Sequence, residues 1–246
     1  MKVIYYGETN IGNVRSINED TFILKEIWGG TFLLGVVIDG VGGHGNGKLA
    51  AELAARCINE HFNECEKSVN SLEVLQSAVI YANNSICSLH CNTWQYNMSC
   101  VLTAVLINLE TGKMEICHIG DTRLYLFKKG VLTKITTDHS LVALKEGLLS
   151  EYEVMTHPLR NIITRSVGKD FLHLGTEYIQ THILDLNSCT LLLCSDGLYE
   201  MVHTPQIVQV LQERMSADKR ARKLIKAALK AGGRDNVTVI VIDVIN

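Results

Sequence analysis

Apolar positions along this chain fall into two alternating patterns. Largely unbroken apolar runs at 31–38, 99–107, 113–119, 122–127 and 190–194 predict strands, with a further strand at 131–136. The N-terminal stretch alternates a short strand, a polar Asn-rich turn and a second strand. Leu49, Ala50, Leu53, Ala54, Cys57, Ile58 and Phe62 recur at helical spacing, and Leu72, Leu75, Val79, Ala82, Ile86 and Leu89 do so again. Thr111-Gly112 and Lys129-Gly130 stand where hairpin turns are needed. Residues 141–157 are mixed, with a short helical stretch before Pro158, and predict an excursion from the sheet. A strand near 174–182, helices at 205–215 and 217–231 and a last strand at 237–244 complete the reading. Strands joined mainly by hairpins, with helices in sequential pairs, predict an α+β fold. Antiparallel sheets covered by helix pairs fit this order better than a doubly wound parallel sheet.

Composition narrows the class without choosing the function. With 246 residues, 47% hydrophobic and 20% charged, one large domain over residues 1–246 is the simplest count. Two prolines leave no room for a Pro-rich linker, and no apolar run is long enough to span a bilayer. The N-terminus lacks a signal-peptide core, so the expected compartment is the cytoplasm and no membrane partner is implied. A net charge of −3 argues against a nucleic-acid partner. Lys219, Arg220, Arg222, Lys223, Lys226 and Lys230 cluster near the C-terminus and read as a solvated helix face. The eight cysteines form no C-x-x-C, and Cys100, Cys117, Cys189 and Cys194 sit in apolar runs as small buried hydrophobes of a reducing compartment.

The acidic residues change the picture. Two separate apolar runs deliver the same pair at their ends, Asp39-Gly40 and Asp196-Gly197. Asp-Gly is ordinarily a hairpin signal, but Asp39 is followed by a glycine-rich stretch and a helix rather than a second strand. Glu19 and Asp20 precede an early strand, Asp121 follows Gly120 between two strands, and Asp235 precedes the last one. Taken singly, each is better read as a solvated turn acid. Taken together, acids at strand ends beside glycines suit a shared cation site. Clustered carboxylates repel unless a cation neutralises them. An all-oxygen set selects Mg²⁺ or Mn²⁺ over zinc, and a pair of such ions can activate water for phosphoryl transfer. Arg15, four positions before Glu19, can supply a fork for phosphate.

In order, Gly12–Asp20, Val37–His44, Gly120–Leu126, Thr137–Ser140, His157–Arg165, Cys194–Leu198 and Gly233–Thr238 resemble the motifs of the protein phosphatase 2C (PPM-type) family, particularly its compact bacterial members. The resemblance covers roughly residues 12–244. It implies a four-layer α-β-β-α sandwich with two metal ions at one end of the paired sheets. On that likeness Asp39 bridges both ions, with the Gly40 carbonyl as a further ligand. Glu19 holds one ion, and Asp196 and Asp235 hold the other. Asp20 hydrogen-bonds metal-bound water and Arg15 clamps the phosphate. Asp121, with Asp196, corresponds to the pair that holds a weaker third ion. Asn236 supports the Asp235 loop, and a flap at about 141–160 carries substrate preference. Eukaryotic members have a histidine directly after the Asp-Gly pair; here that position is Val41. His44 is a weaker candidate, and His139 and His157 read as structural.

The implied function is a metal-dependent phosphatase that hydrolyses phosphoserine and phosphothreonine by attack of a metal-bridging hydroxide. Its implied partners are phosphorylated proteins and a cognate serine/threonine kinase, and it is expected to act as a monomer. Two other readings stay open on the sequence: a catalytically silent phosphoprotein-binding regulator, and a hydrolase of small phosphate esters.

Overall fold

The computed structural model describes residues 1–42, 46–66, 70–92, 98–143, 153, 157–169 and 176–245. Among the described residues ten strands form two five-stranded sheets. The first runs β1 (Lys2–Asn10), β10 (Val237–Ile245), β9 (Cys189–Cys194), β6 (Arg123–Lys128), β7 (Val131–Lys134). The second runs β2 (Asp20–Ile27), β3 (Phe32–Val41), β4 (Ser99–Asn108), β5 (Lys113–Ile119), β8 (Gln180–Asp185). Every named pairing is antiparallel.

The apolar runs are continuous because both faces of the central strands are covered. Side chains alternate across a strand. In β3, Leu34, Val36 and Ile38 join a core with helices α1 (Asn46–Glu64) and α2 (Ser71–Asn92), while Leu33 and Val37 turn to the facing sheet. In β10, Ile240, Ile242 and Val244 join that inter-sheet core. Its Val237, Val239 and Val241 instead meet α4 (Thr204–Gln212) and α5 (Ala217–Lys230). The layers are therefore helix, sheet, sheet, helix, as the α+β reading expects. At about 1.5–3 kcal/mol for each large apolar side chain removed from water, these three cores supply the main driving force for the sandwich.

Four details differ from the sequence reading. The strand expected near 174–182 begins only at Gln180; Thr176–Tyr178 form a single 3₁₀ turn. Asp39 does not end its strand. Pairing continues through Asp39↔Val101 to Val41↔Ser99, because β4 runs alongside that far. Leu49, placed on the buried face of α1, is exposed. Arg220 is no part of a solvated basic face: it is buried and ion-pairs with Asp243. Most of the predicted excursion, residues 144–152 and 154–156, lies outside the described residues.

A short helix α3 (Asp196–Tyr199) follows β9 directly. Its Gly197 lies so close to the loop before β10 that an added Cβ would sit 2.0 Å from the Asn236 carbonyl oxygen. Gly197→Ala is expected to destabilise the protein. The helix-propensity gain of about 1 kcal/mol is outweighed by about 1–3 kcal/mol of overpacking. Urea unfolding of the variant checks the sign.

Candidate active site

Strand register, rather than proximity along the chain, gathers the acids. In β2 and β3, Asp20 stands directly opposite Asp39. Asp39 in turn pairs with Val101 of β4, and Leu102 pairs with Ile119, which carries Gly120 and Asp121 to the same edge. In the other sheet Arg123 pairs with Cys194 and Val239 pairs with Cys194 from the other side, so Asp121, Asp196 and Asp235 flank one another. Asn10↔Val237 brings the loop before β2, with Arg15 and Glu19, against the loop that holds Asp235.

The result is one cleft of about 200 Å³. It is lined by Arg15, Glu19, Asp39, Gly40, Asp121, Asp196 and Asp235, with Val41, Gly42, Asn161, Ile163 and Asn236 completing its wall. Every residue expected from the sequence reaches this cleft except Asp20, which lies just behind it and is buried. Gly40 is required by close approach: a Cβ there would lie 2.2 Å from the Gly47 carbonyl oxygen at the start of α1.

Burial and mutual repulsion act together on these carboxylates. Desolvation first, then the charges of Asp20, Asp196, Asp121 and Asp235, push Asp39 well above the usual carboxylate range. Asp196 is pushed well above it by burial and by Asp121, Asp235, Glu200 and Asp20. Burial raises Asp121 to about 7, with Asp138 adding to the effect. Burial also raises Asp20 to about 6, against the pull of hydrogen bonds from Ser195 and Thr238. Both hydroxyls donate to Asp20 Oδ2 at 2.7 Å.

Asn236 staples the two loops. It accepts the Glu19 amide at 2.8 Å and donates to the Ile11 and Ile17 carbonyls at 2.9 and 3.0 Å. Its support therefore reaches Glu19 as well as Asp235. Arg15 donates to Asp235 Oδ2 at 2.7 Å and remains half exposed at the cleft mouth. Ser195 and Thr238 escaped the sequence reading. Ser195 precedes an Asp-Gly pair and Thr238 lies inside an apolar strand, so only the pairing of β9 with β10 reveals their shared target.

No histidine lines the cleft among the described residues. His44 lies outside them. His157 accepts the Leu159 amide at 3.1 Å and His139 accepts the Gly120 amide at 3.0 Å, both structural contacts.

The donor set fits hard divalent cations. It is all oxygen, it is strongly anionic, and Glu19 Oε1 is buried with no hydrogen-bond partner. Among the described residues no three His, Cys, Asp or Glu side chains close tightly around one point.

The Protein phosphatase 2C family profile matches residues 12–231. The chain belongs to the protein phosphatase 2C family. Serine/threonine phosphatase stp of Listeria monocytogenes serotype 4b is 32% identical over 248 residues, covering 96% of this chain and 93% of that protein. Serine/threonine protein phosphatase PstP of Mycobacterium tuberculosis is 33% identical over 245 residues, covering 98% of this chain and 45% of PstP. A crystal structure of the PstP catalytic domain in complex with 2 manganese ions superposes with a TM-score of 0.85 at 29% identity, covering 99% of each chain. Membership of the family makes this chain a metal-dependent serine/threonine phosphatase with the α-β-β-α architecture. Among the described residues no helix is long and apolar enough to cross a membrane.

The raised carboxylates carry a pH signature. Asp20 and Asp121 titrate near 6 and 7 when folded, against 3.8 unperturbed, so between those values the folded chain holds more protons than the unfolded one. Asp39 and Asp196, raised further by burial, act in the same direction and outweigh the opposite effect of His118 and His139, which burial keeps neutral, so stability of the metal-free protein falls as pH rises through that window. Thermal melts in chelator are expected to show a lower Tm at about pH 8 than at about pH 5. Mn²⁺ is expected to restore the loss at the higher pH. A flat or rising profile in chelator would count against the clustered, unneutralised acids.

Proposed function

We propose that the Asp39 cleft hydrolyses phosphoserine and phosphothreonine esters of proteins with two bound divalent ions, Mn²⁺ or Mg²⁺. The observation that carries this reading is the convergence of Glu19, Asp39, Asp196 and Asp235 on one cleft with a partnerless buried carboxylate oxygen at Glu19. Asp39 and the Gly40 carbonyl would hold both ions, Glu19 one of them, and Asp196 with Asp235 the other. Asp121, with Asp196, would hold a third and weaker ion. Bound ions of this kind lower the pKa of a water and neutralise the charge of the phosphoryl group.

The chain's own residues perform the remaining tasks. Arg15 can bind phosphate oxygens with guanidinium donors beyond the single bond to Asp235. Asp20, fixed by Ser195 and Thr238, stands opposite Asp39 and orients it from behind. Val41 at the cleft wall offers no proton to the leaving alkoxide. Solvent in the cleft can supply that proton.

Residues 1–246 act in this reading as one catalytic domain with a substrate-selecting flap at about 141–160. Buried thiols at Cys100, Cys117 and Cys194 support a cytoplasmic setting. There the substrates would be phosphorylated proteins supplied by a serine/threonine kinase, with the phosphatase acting as a monomer.

Chelation is expected to abolish phosphate release from a phosphothreonine peptide, and Mn²⁺ to restore it. Asp39→Asn should lower kcat by at least about 10²–10³, the cost of losing one preorganised charge. Arg15→Ala should act chiefly on KM. Full turnover in a verified metal-free sample would overturn the reading.

A further inference from the structure

Asp121 sits on a turn that has little hold on itself. Gly120 before it has φ +107°, and an added Cβ would meet Val101 Cγ1 at 2.1 Å, so the turn is a glycine conformation pressed against β4. What holds it is a second turn, far along the chain. His139 grips both backbone groups of Gly120: its Nδ1 accepts the Gly120 amide at 3.0 Å, and its own amide donates to the Gly120 carbonyl at 2.6 Å. A backbone amide only donates, so Nδ1 carries no proton. The ring is braced by stacking on buried His118, with centroids 5.0 Å apart. His118 is fixed by the Thr103 hydroxyl at 2.9 Å and the Thr137 carbonyl at 3.1 Å. Beside it, Arg123 forks onto Asp138, and Tyr199 donates to the Asp121 carbonyl at 3.0 Å.

The same residue reaches the opposite wall of the cleft. The His139 carbonyl accepts the Thr164 amide at 2.8 Å, and the Leu141 amide donates to Ile162 at 2.9 Å. Ser140 forms a bridge with Ile163. Asn161 and Ile163 line the cleft that Asp121 also enters. His139 thus ties the Asp121 turn, through its ring and its amide, to the segment returning from residues 141–160, which its carbonyl holds.

We infer that His139 is a positioning residue that fixes Asp121 against the 161–163 wall and thereby sets the affinity of the weakest cation in the cleft. The inference rests on the assignment of Asp121 as a ligand to that ion. Its chemistry requires an acceptor at the Nδ1 position and no charge. Asn supplies an acceptor oxygen at nearly the same distance from the backbone, whereas Leu fills the space without one.

The test is calorimetric titration of the metal-free chain with Mn²⁺ alone, together with hydrogen exchange of the Gly120 amide. In His139→Leu the weakest binding event is expected to lose about tenfold or more in affinity, the usual cost of removing an outer support of a metal ligand. The tighter events should hold and Gly120 exchange should accelerate. His139→Asn should restore both readouts. An unchanged weak event in His139→Leu, beside its loss in Asp121→Asn, would overturn the inference alone. An equal weakening of all events in both His139 variants would also overturn it, since that is the mark of general unfolding. If Asp121→Asn keeps the weakest event, the underlying assignment of Asp121 falls instead.

Discussion

The structure is organised around a repulsion. Asp20 and Asp39 face each other across an antiparallel pair, where opposed residues stand about 5 Å apart. Two ionised carboxylates about 5 Å apart would repel by about 3 kcal/mol at an effective dielectric near 20, and after burial the charge of Asp20, with those of Asp196, Asp121 and Asp235, raises Asp39. A folded chain tolerates this only because the surrounding cores over-determine the backbone. Three apolar layers hold the strands in register whatever the acids at their ends prefer. The hydroxyls of Ser195 and Thr238 offset part of the cost at Asp20, each charge-assisted bond contributing about 1.5–3 kcal/mol.

The division of labour follows from that arrangement. Inward from the cleft, hydrogen-bonded groups fix the acids. At the cleft surface, Glu19 keeps an oxygen without a partner, which is costly in the protein alone and useful once a cation occupies the space. Loop-to-loop contacts are equally specific. Asn236 joins the Glu19 loop to the Asp235 loop, and the Gly40–Gly47 contact brings the start of α1 against β3. Each reduces the freedom of a ligand-bearing segment, so binding of an ion needs less reorganisation.

Asp121 differs from Asp20, Asp39 and Asp196 in how it is held. Asp20, Asp39 and Asp196 lie on or beside strands of the sandwich, but Asp121 rides a turn whose geometry depends on His139, Tyr199 and the Arg123–Asp138 pair. Although burial works to raise it, Arg123 keeps Asp138 below the usual carboxylate range, so that pair stays charged. A ligand supported by side chains at the root of a flap is more easily altered than one supported by a sheet.

Much of this was legible in the residues themselves. Apolar runs marked the strands because side-chain burial on both faces leaves no polar alternation, and helical spacing marked α1, α2, α4 and α5. Asp39-Gly40 and Asp196-Gly197 stood out because a glycine-rich stretch, then a helix, follows the first. The motif order pointed to the family and so to the ligand set. Other features were set by pairing between segments distant in the chain. The Asp20–Asp39 opposition, the Ser195 and Thr238 bonds to Asp20, the inward turn of Arg220 and the grip of His139 on Gly120 all join groups that local sequence does not relate. Local pattern determines which residues are buried and where strands form, since those depend on side-chain chemistry at fixed periods. Which carboxylates meet, and what restrains them, depends on strand register, and register is decided only when the two sheets pack.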